Sequence, residues 1–290
     1  MSSPLQAITE QLANHLGGPL HYQGEHSLFG GDINQTFLLK TDQGPFFLKL
    51  NKVNRLTMFE AEFAALEEIA RSRTIRVPSP ILAGTTETHA FLAMEYIELG
   101  GSSDRAEAAL GEQLAAMHQC TATQFGWDQD NTIGSTPQQN QQHDHWIDFW
   151  REQRIAPQLR WANHSSLNRK GEQLLNHLDT MLADHQPTPS LLHGDLWGGN
   201  WSTARSGEPV LYDPALYYGD RETDLAMTTL FGGFSPRFYE AYQTTWPLDA
   251  GYEQRIPLYN LYHILNHYNL FGGGYGRQAE QIIDRLLKAL

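Results

Sequence analysis

The sequence predicts an α+β chain of two lobes, a small antiparallel sheet with one main helix followed by a larger, mainly helical part. Three observations carry this. The first hundred residues alternate short strand-like runs with glycine turns, whereas beyond residue 104 apolar residues recur at helical spacing. A length of 290 residues with 40% apolar content exceeds one typical domain of roughly 100–200 residues. The polar stretch Glu98-Leu-Gly-Gly-Ser-Ser-Asp104 marks the change, giving an N-terminal lobe over residues 1–96 and a C-terminal lobe over residues 97–290.

Ser3-Pro4 reads as an N-cap with proline in the first turn. Leu5, Ile8, Leu12 and Leu16 then recur at helical spacing until Gly17-Gly18 ends the helix. Strand-like runs follow at residues 26–29, 35–40 and 45–50, separated by Gly30-Gly31 and Asp42-Gln-Gly44, which read as hairpin turns. A helix is expected over 58–71, where Phe59, Phe63, Leu66 and Ala70 form one stripe, and Val77-Pro-Ser-Pro80 imposes an extended exit. Residues 90–97 return as a strand. Helices are expected over 105–119, 145–162, 167–184, 221–230, 251–271 and 277–289. Residues 121–144, rich in Gln, Asn and Thr, read as an exposed loop or insertion. A small β-rich lobe followed by a helical one is the order of parts of a protein-kinase-like fold.

Composition excludes several classes. With 20 basic against 33 acidic residues the net charge is −13, so no long-range field gathers nucleic acid or anionic lipid. Nucleotide binding would have to rest on local residues and metal. The N-terminus has neither a basic nor an apolar leader, and no apolar run approaches ~18 residues, so a soluble, cytoplasmic protein is expected, with no membrane partner. Cys120, the single cysteine, can form no intrachain disulfide and reads as a buried, inert thiol.

His193-Gly-Asp-Leu-Trp-Gly-Gly-Asn200 places Asp195 five residues before Asn200 in a glycine-rich loop, the spacing of a phosphotransferase catalytic loop. In such loops the Asp accepts the proton of the attacking hydroxyl and the Asn is a neutral oxygen ligand for Mg²⁺ on the nucleotide phosphates. Phosphoryl transfer also needs an anion cradle and a cation, because positioning and charge neutralisation supply nearly all the rate. Gly30 and Gly31 are the cradle candidates, since glycine lets backbone N–H groups approach phosphate. The segment is neither a Walker loop nor a full G-x-G-x-x-G, and Asp32 would repel phosphate unless it points away. Lys49, in Pro45-Phe-Phe-Leu-Lys-Leu50, is the cation candidate. Glu62 borders the apolar stripe of the following helix and can pair with it, in preference to Glu60. Asp213 ends the apolar run Pro209-Val-Leu-Tyr-Asp213 and with Asn200 supplies hard oxygen ligands for Mg²⁺.

Capping accounts for Asp220 at the start of the next helix, while Asp224 either caps that helix or braces the backbone of the catalytic loop. No H-E-x-x-H, Cys/His quartet or G-x-S-x-G elbow is present, which argues against a zinc enzyme and a serine hydrolase. The aromatic run from Tyr259 to Phe271 either lines a substrate pocket or supplies satisfied polar groups of the core.

Taken together, His193-Gly-Asp-Leu-Trp-Gly-Gly-Asn200, Tyr212-Asp-Pro-Ala215, Phe231-Gly-Gly-Phe234 and Leu265-Asn-His-Tyr-Asn-Leu-Phe-Gly272 resemble the fructosamine kinases, or ketosamine 3-kinases, from the glycine turn at 30 to the C-terminal helices. Trp197 inside the loop distinguishes this pattern from the broader aminoglycoside and choline phosphotransferases. The resemblance implies ATP- and Mg²⁺-dependent transfer to the 3-hydroxyl of a ketosamine, either a small molecule or protein-bound, whose labile phosphate then frees the amine in a deglycation. It implies Lys49 and Glu62 as the ion pair, Met94, Glu95 and Tyr96 as the adenine-facing hinge, Asp195 as base, and Asn200 and Asp213 as magnesium ligands. Trp197 and His267 are the nominations for the sugar side. Many relatives carry a cysteine where this chain has Asp32, so a thiol switch or disulfide-linked dimer at that point is not expected. Bacterial-looking members favour ribulosamines and erythrulosamines over fructosamines, and that preference is carried over. A kinase for another hydroxylated amine and a non-catalytic nucleotide-binding scaffold stay open on the sequence. A monomer is compatible with it.

Overall fold

The computed structural model describes residues 3–28, 33–101, 103–232 and 234–290, so the expected cradle at Gly30 and Gly31, with Asp32, lies outside the described residues. The chain divides into two compact units, Met1–Gly101 with Ser202–Tyr212, and Ser102–Trp201 with Asp213–Leu290. Among the described residues no helix is long and apolar enough to cross a membrane.

The first unit opens with α1 (Pro4–Leu16), where Gln6 reaches back to accept the Ser3 N–H at 3.1 Å and Gly17, at φ 72°, ends the helix in the left-handed region. Strands β1 (Tyr22–Leu28), β2 (Gln35–Thr41), β3 (Gly44–Lys52), β4 (Pro80–Thr85) and β5 (His89–Glu95) form one antiparallel sheet in the order β1-β2-β3-β5-β4. Leu48 and Leu50 of β3 join Leu39, Phe91 and Ala93 in a core shared with Leu5, Ile8 and Leu12 of α1. Because a strand alternates faces, Lys49 then points to the opposite side of the sheet. Helix α2 (Leu56–Ser72) buries Met58, Phe59, Ala61, Ala65, Leu66 and Ile69. Its inner face is rotated from the expected stripe, leaving Phe63 half-buried and Ala70 exposed. Strand β4 was not expected. Its prolines suggested only an exit from the helix, but β4 is an edge strand and Pro80 is its first residue, where a missing N–H loses no interior ladder bond. A second sheet joins Leu99–Gly100 to the hairpin of Trp201–Ala204 and Pro209–Leu211.

The second unit begins with α3 (Asp104–His118), capped by Ser103 Oγ, which accepts the Ala106 N–H at 3.2 Å. It packs on helix Pro236–Thr245, which lies outside the helices expected from apolar periodicity. Gly111 sits at the crossing, where a Cβ would lie 2.3 Å from the Phe238 carbonyl oxygen. The expected helix over 145–162 is a continuous helical run with a π-helical segment, Trp150–Ile155, at its centre. The one expected over 167–184 divides into Ser165–Leu175 and Leu178–Met181. Helices Glu222–Thr228, Tyr252–Phe271 and Tyr275–Lys288 complete the unit. Tyr259 and Tyr262 are buried core members of the aromatic run, with hydroxyls bonded to Asp220 and Gln138.

Residues 121–144 are not an exposed insertion. They form a hairpin, Asn131–Ile133 with Thr136–Gln138, and bury Phe125, Trp127 and Ile133 together with Asn131, Gln138 and Asn140. The amides that imitated a solvated loop are turned inward: Asn131 and Gln138 donate to the carbonyls of Leu216 and Ala215 at 2.8 and 2.9 Å. Buried polar side chains are tolerated when bonded in this way. Cys120 is half-buried rather than buried, and burial pushes its thiol up.

Candidate active site

The loop over residues 193–200 follows a three-residue strand, Ser190–Leu192, that pairs with Tyr217–Gly219. Gly194 has φ +82° and a Cβ there would lie 2.0 Å from the Ala215 carbonyl oxygen, so only glycine suits both the conformation and the space. The Ala215 N–H donates to the His193 carbonyl at 2.9 Å, which ties the loop to the segment after Asp213. Asp224, on the buried helix Glu222–Thr228, accepts the N–H groups of His193 and Gly194 at 2.7 and 2.8 Å. Of the two roles open to Asp224 in the sequence, it therefore takes the bracing one.

Asn200 folds back across the loop, its amide nitrogen donating to the Asp195 carbonyl oxygen at 2.8 Å and standing 3.3 Å from Asp195 Oδ2. Asp195 is partly accessible, and its carboxyl is pushed up to about 7, by burial first and by the nearby charge of Asp213 second, against the lowering effect of Asn200. Asn200 precedes strand Trp201–Ala204 and Asp213 follows its neighbour Pro209–Leu211, so the two leave the same end of a hairpin. Asp213 is exposed and has φ 59°, a left-handed conformation that aspartate tolerates better than most residues. The structure thus gathers Asp195, Asn200 and Asp213 into one polar cluster.

In the first unit Lys49 Nζ lies 2.5 Å from Glu62 Oε1, and Lys49 is only 5% exposed. The pair forms because β3 alternation sends Lys49 toward the face that α2 covers. Of the residues nominated for a hinge, Met94 is buried at the end of β5, and the Glu95 carboxylate is held by Arg76 at 2.7 Å and by the Ser79 N–H at 3.2 Å. Arg76 also bonds Glu208 of the 202–212 hairpin. Tyr96 is half-buried.

Trp197 is 39% exposed and its ring lies against Gly199, where a Cβ would come within 2.3 Å of it. His267 is half-buried among Phe231, Tyr275 and Phe271, at ring separations of 4.5, 5.2 and 5.6 Å. Burial lowers its imidazole below the ordinary range, and Nδ1 is bonded to the His263 carbonyl oxygen at 2.8 Å.

Several supports were not legible beforehand. Asn131 and Gln138 hold the backbone just after Asp213 and Pro214, and the fully buried Arg154 steadies them through Asn140, with its guanidinium 3.9 Å over the Tyr217 ring. The flanking Phe125-Gly-Trp127 and Ile133 were the signal that this segment packs. His185, Asp220 and Glu222 also lie close enough to suggest a cation site. Their atoms are already engaged, with one another or with neighbours: His185 and the Tyr259 hydroxyl meet Asp220 at 2.6 and 2.5 Å, and Arg255 grips both oxygens of Glu222 at 2.6 and 2.7 Å. This is a charge-satisfied structural network.

A family model described as fructosamine kinase matches residues 4–289. A Synechocystis protein named as a probable ketoamine kinase is 46% identical over 288 residues, 99% of this chain and 98% of that protein. The chloroplastic protein-ribulosamine 3-kinase of Arabidopsis thaliana is 45% identical over 271 residues, 91% of this chain and 82% of the plant protein. A crystal structure of a Haemophilus somnus protein of the fructosamine-3-kinase type superposes with a TM-score of 0.89 at 29% identity, covering 97% of this chain and 96% of that one. The kinase-like fold is shared with aminoglycoside phosphotransferases.

Proposed function

The chain belongs to the fructosamine kinase family, and we propose that it transfers the γ-phosphoryl group of ATP to the 3-hydroxyl of a ketosamine. Membership makes it an ATP-dependent phosphotransferase acting on sugar–amine adducts. The observation that carries the finer reading is the cluster of Asp195, Asn200 and Asp213, with an Asp195 carboxyl near neutrality. A base poised there can take the hydroxyl proton of the acceptor at working pH. Asn200 and Asp213 fit a hard cation, because the Asn200 amide nitrogen is turned to Asp195, leaving its oxygen as the ligand atom, and the Asp213 carboxylate is exposed beside another carboxyl. Mg²⁺ held by those two oxygens would neutralise charge on the nucleotide phosphates.

Lys49, fixed by Glu62, is the cation for the phosphates, with Gly30 and Gly31 as their cradle. Because the Glu95 carboxylate is committed to Arg76, residues Met94, Glu95 and Tyr96 would meet adenine through their backbone. Trp197 and His267 take the sugar side. Ribulosamines and erythrulosamines, small or protein-bound, are the favoured substrates over fructosamines, the 3-phosphate breaks down to free the amine, and the work is done in the cytoplasm.

The test incubates the protein with Mg-ATP and ribulose-, erythrulose- and fructose-lysine and follows ADP release, then locates the phosphate by phosphorus–proton NMR correlation. Coupling to the C3 proton of at least one adduct, absent with Asp195→Asn, is expected. Phosphate on another hydroxyl would reject the 3-kinase assignment.

A further inference from the structure

The two peptide groups that precede Asp195 donate to one carboxylate, His193 N–H to Asp224 Oδ2 and Gly194 N–H to Oδ1. The same Oδ2 lies 3.2 Å from His118 Nε2. A carboxylate only accepts, so Nε2 carries the proton. Across the ring, His118 Nδ1 lies 2.8 Å from the Tyr242 hydroxyl, which itself accepts from Arg221 Nη1 at 3.4 Å. The proton of that hydroxyl is then the one given to Nδ1. Arg221 is fixed in turn: its two Nη atoms donate to the carbonyls of Trp246 and Pro247 at 2.8 and 2.6 Å, and its guanidinium lies 3.7 Å over the Trp246 ring.

All four side chains are buried. Every bond in the chain Arg221, Tyr242, His118, Asp224 runs in one direction, from a cation to an anion, so that each bond polarises the next. Burial alone would push the Asp224 carboxyl up; the hydrogen bonds it accepts, from His118 first and from the Gly194 N–H, outweigh it and hold it below the ordinary range. An imidazole offers a donor and an acceptor at opposite edges of one rigid ring, as this bridge requires.

We propose that His118 is a positioning residue for phosphoryl transfer, holding Asp224 in line with the His193 and Gly194 peptides and so fixing the place of Asp195. This rests on the reading of Asp195 as the base, and not on which acceptor is used.

His118→Phe, His118→Gln and Tyr242→Phe, each in the full chain, test it through kinetics with an acceptor that the wild type phosphorylates and through amide hydrogen exchange at His193 and Gly194. His118→Phe is expected to lose roughly 10- to 100-fold in kcat with KM for ATP and acceptor within about threefold. It should also lose exchange protection at residues 193 and 194 while β5 keeps its own. His118→Gln, whose amide can still donate to Asp224, should recover most of both readouts, and Tyr242→Phe should fall between.

Unchanged protection and kcat in His118→Phe would overturn the proposal, as would a loss carried by KM, or a His118→Gln variant as impaired as the Phe variant. Where His118→Phe does not fold, Tyr242→Phe decides by the same two readouts, and wild-type values there count against the proposal. Absence of turnover with ketosamines would reject the functional reading separately, because the exchange measurement needs no substrate.

Discussion

Asp195 combines two properties that pull against each other. Its carboxyl is pushed up to about 7, which suits a base but means that ionising it works against the fold. The folded value lies above the ordinary 3.8, so the stability tied to this group is fully present below that pH and is lost as pH rises through about 7. Metal-free Asp195→Asn should therefore melt roughly 2–6 °C higher than wild type at pH 8, with the gap closing toward pH 4 in calorimetry. The same variant is expected to lose roughly 10²- to 10⁴-fold in kcat with little change in nucleotide affinity by titration. A cation held by Asn200 and Asp213, as proposed above, would lower the Asp195 carboxyl, so the rising limb of kcat/KM with pH should lie at or below 7 when Mg²⁺ saturates. A limb well above 8 in a stopped assay would contradict that assignment.

At the scale of elements, what was legible in the sequence is what local periodicity controls. The facing of Lys49 and Glu62 follows from strand alternation in β3 and from the apolar side of α2. Glu62→Gln is expected to destabilise by roughly 3 kcal/mol in denaturant titrations, because it removes a carboxylate 2.5 Å from a buried ammonium, and to raise the KM for ATP. What periodicity does not control was missed. Strand β4 was hidden by prolines whose edge position makes them harmless, and the 121–144 hairpin was hidden by amides whose partners, the Ala215 and Leu216 carbonyls, lie far away in sequence. Helix Pro236–Thr245 carries a Ser-Pro start, yet buries only Phe238 and Tyr242, too few residues to make a stripe. Its contact with α3 depends on a missing side chain: Gly111→Ala should cost about 2 kcal/mol, a fall in Tm of roughly 4–8 °C, because the new methyl meets backbone at Phe238.

For the whole molecule, the catalytic loop's chemistry is assembled from pieces far apart in the chain. His193 and Gly194 are braced by Asp224, and the Asp213 segment is steadied from 131 and 138. The Asp195 to Asn200 spacing revealed the reaction class because it is local; its supports are tertiary, and no spacing encodes them. A net charge of −13 leaves nucleotide recognition to local groups rather than to a general field for anions. The most direct measurement is kcat/KM for Mg-ATP-dependent phosphorylation of ribulose-, erythrulose- and fructose-lysine beside an aminoglycoside and choline. At least one ketosamine, with ribulose- or erythrulose-lysine foremost, is expected to exceed both other amines by about 10² or more, with Asp195→Asn at background. No ADP above that background with any ketosamine, or faster turnover of the aminoglycoside or choline, would contradict the assignment.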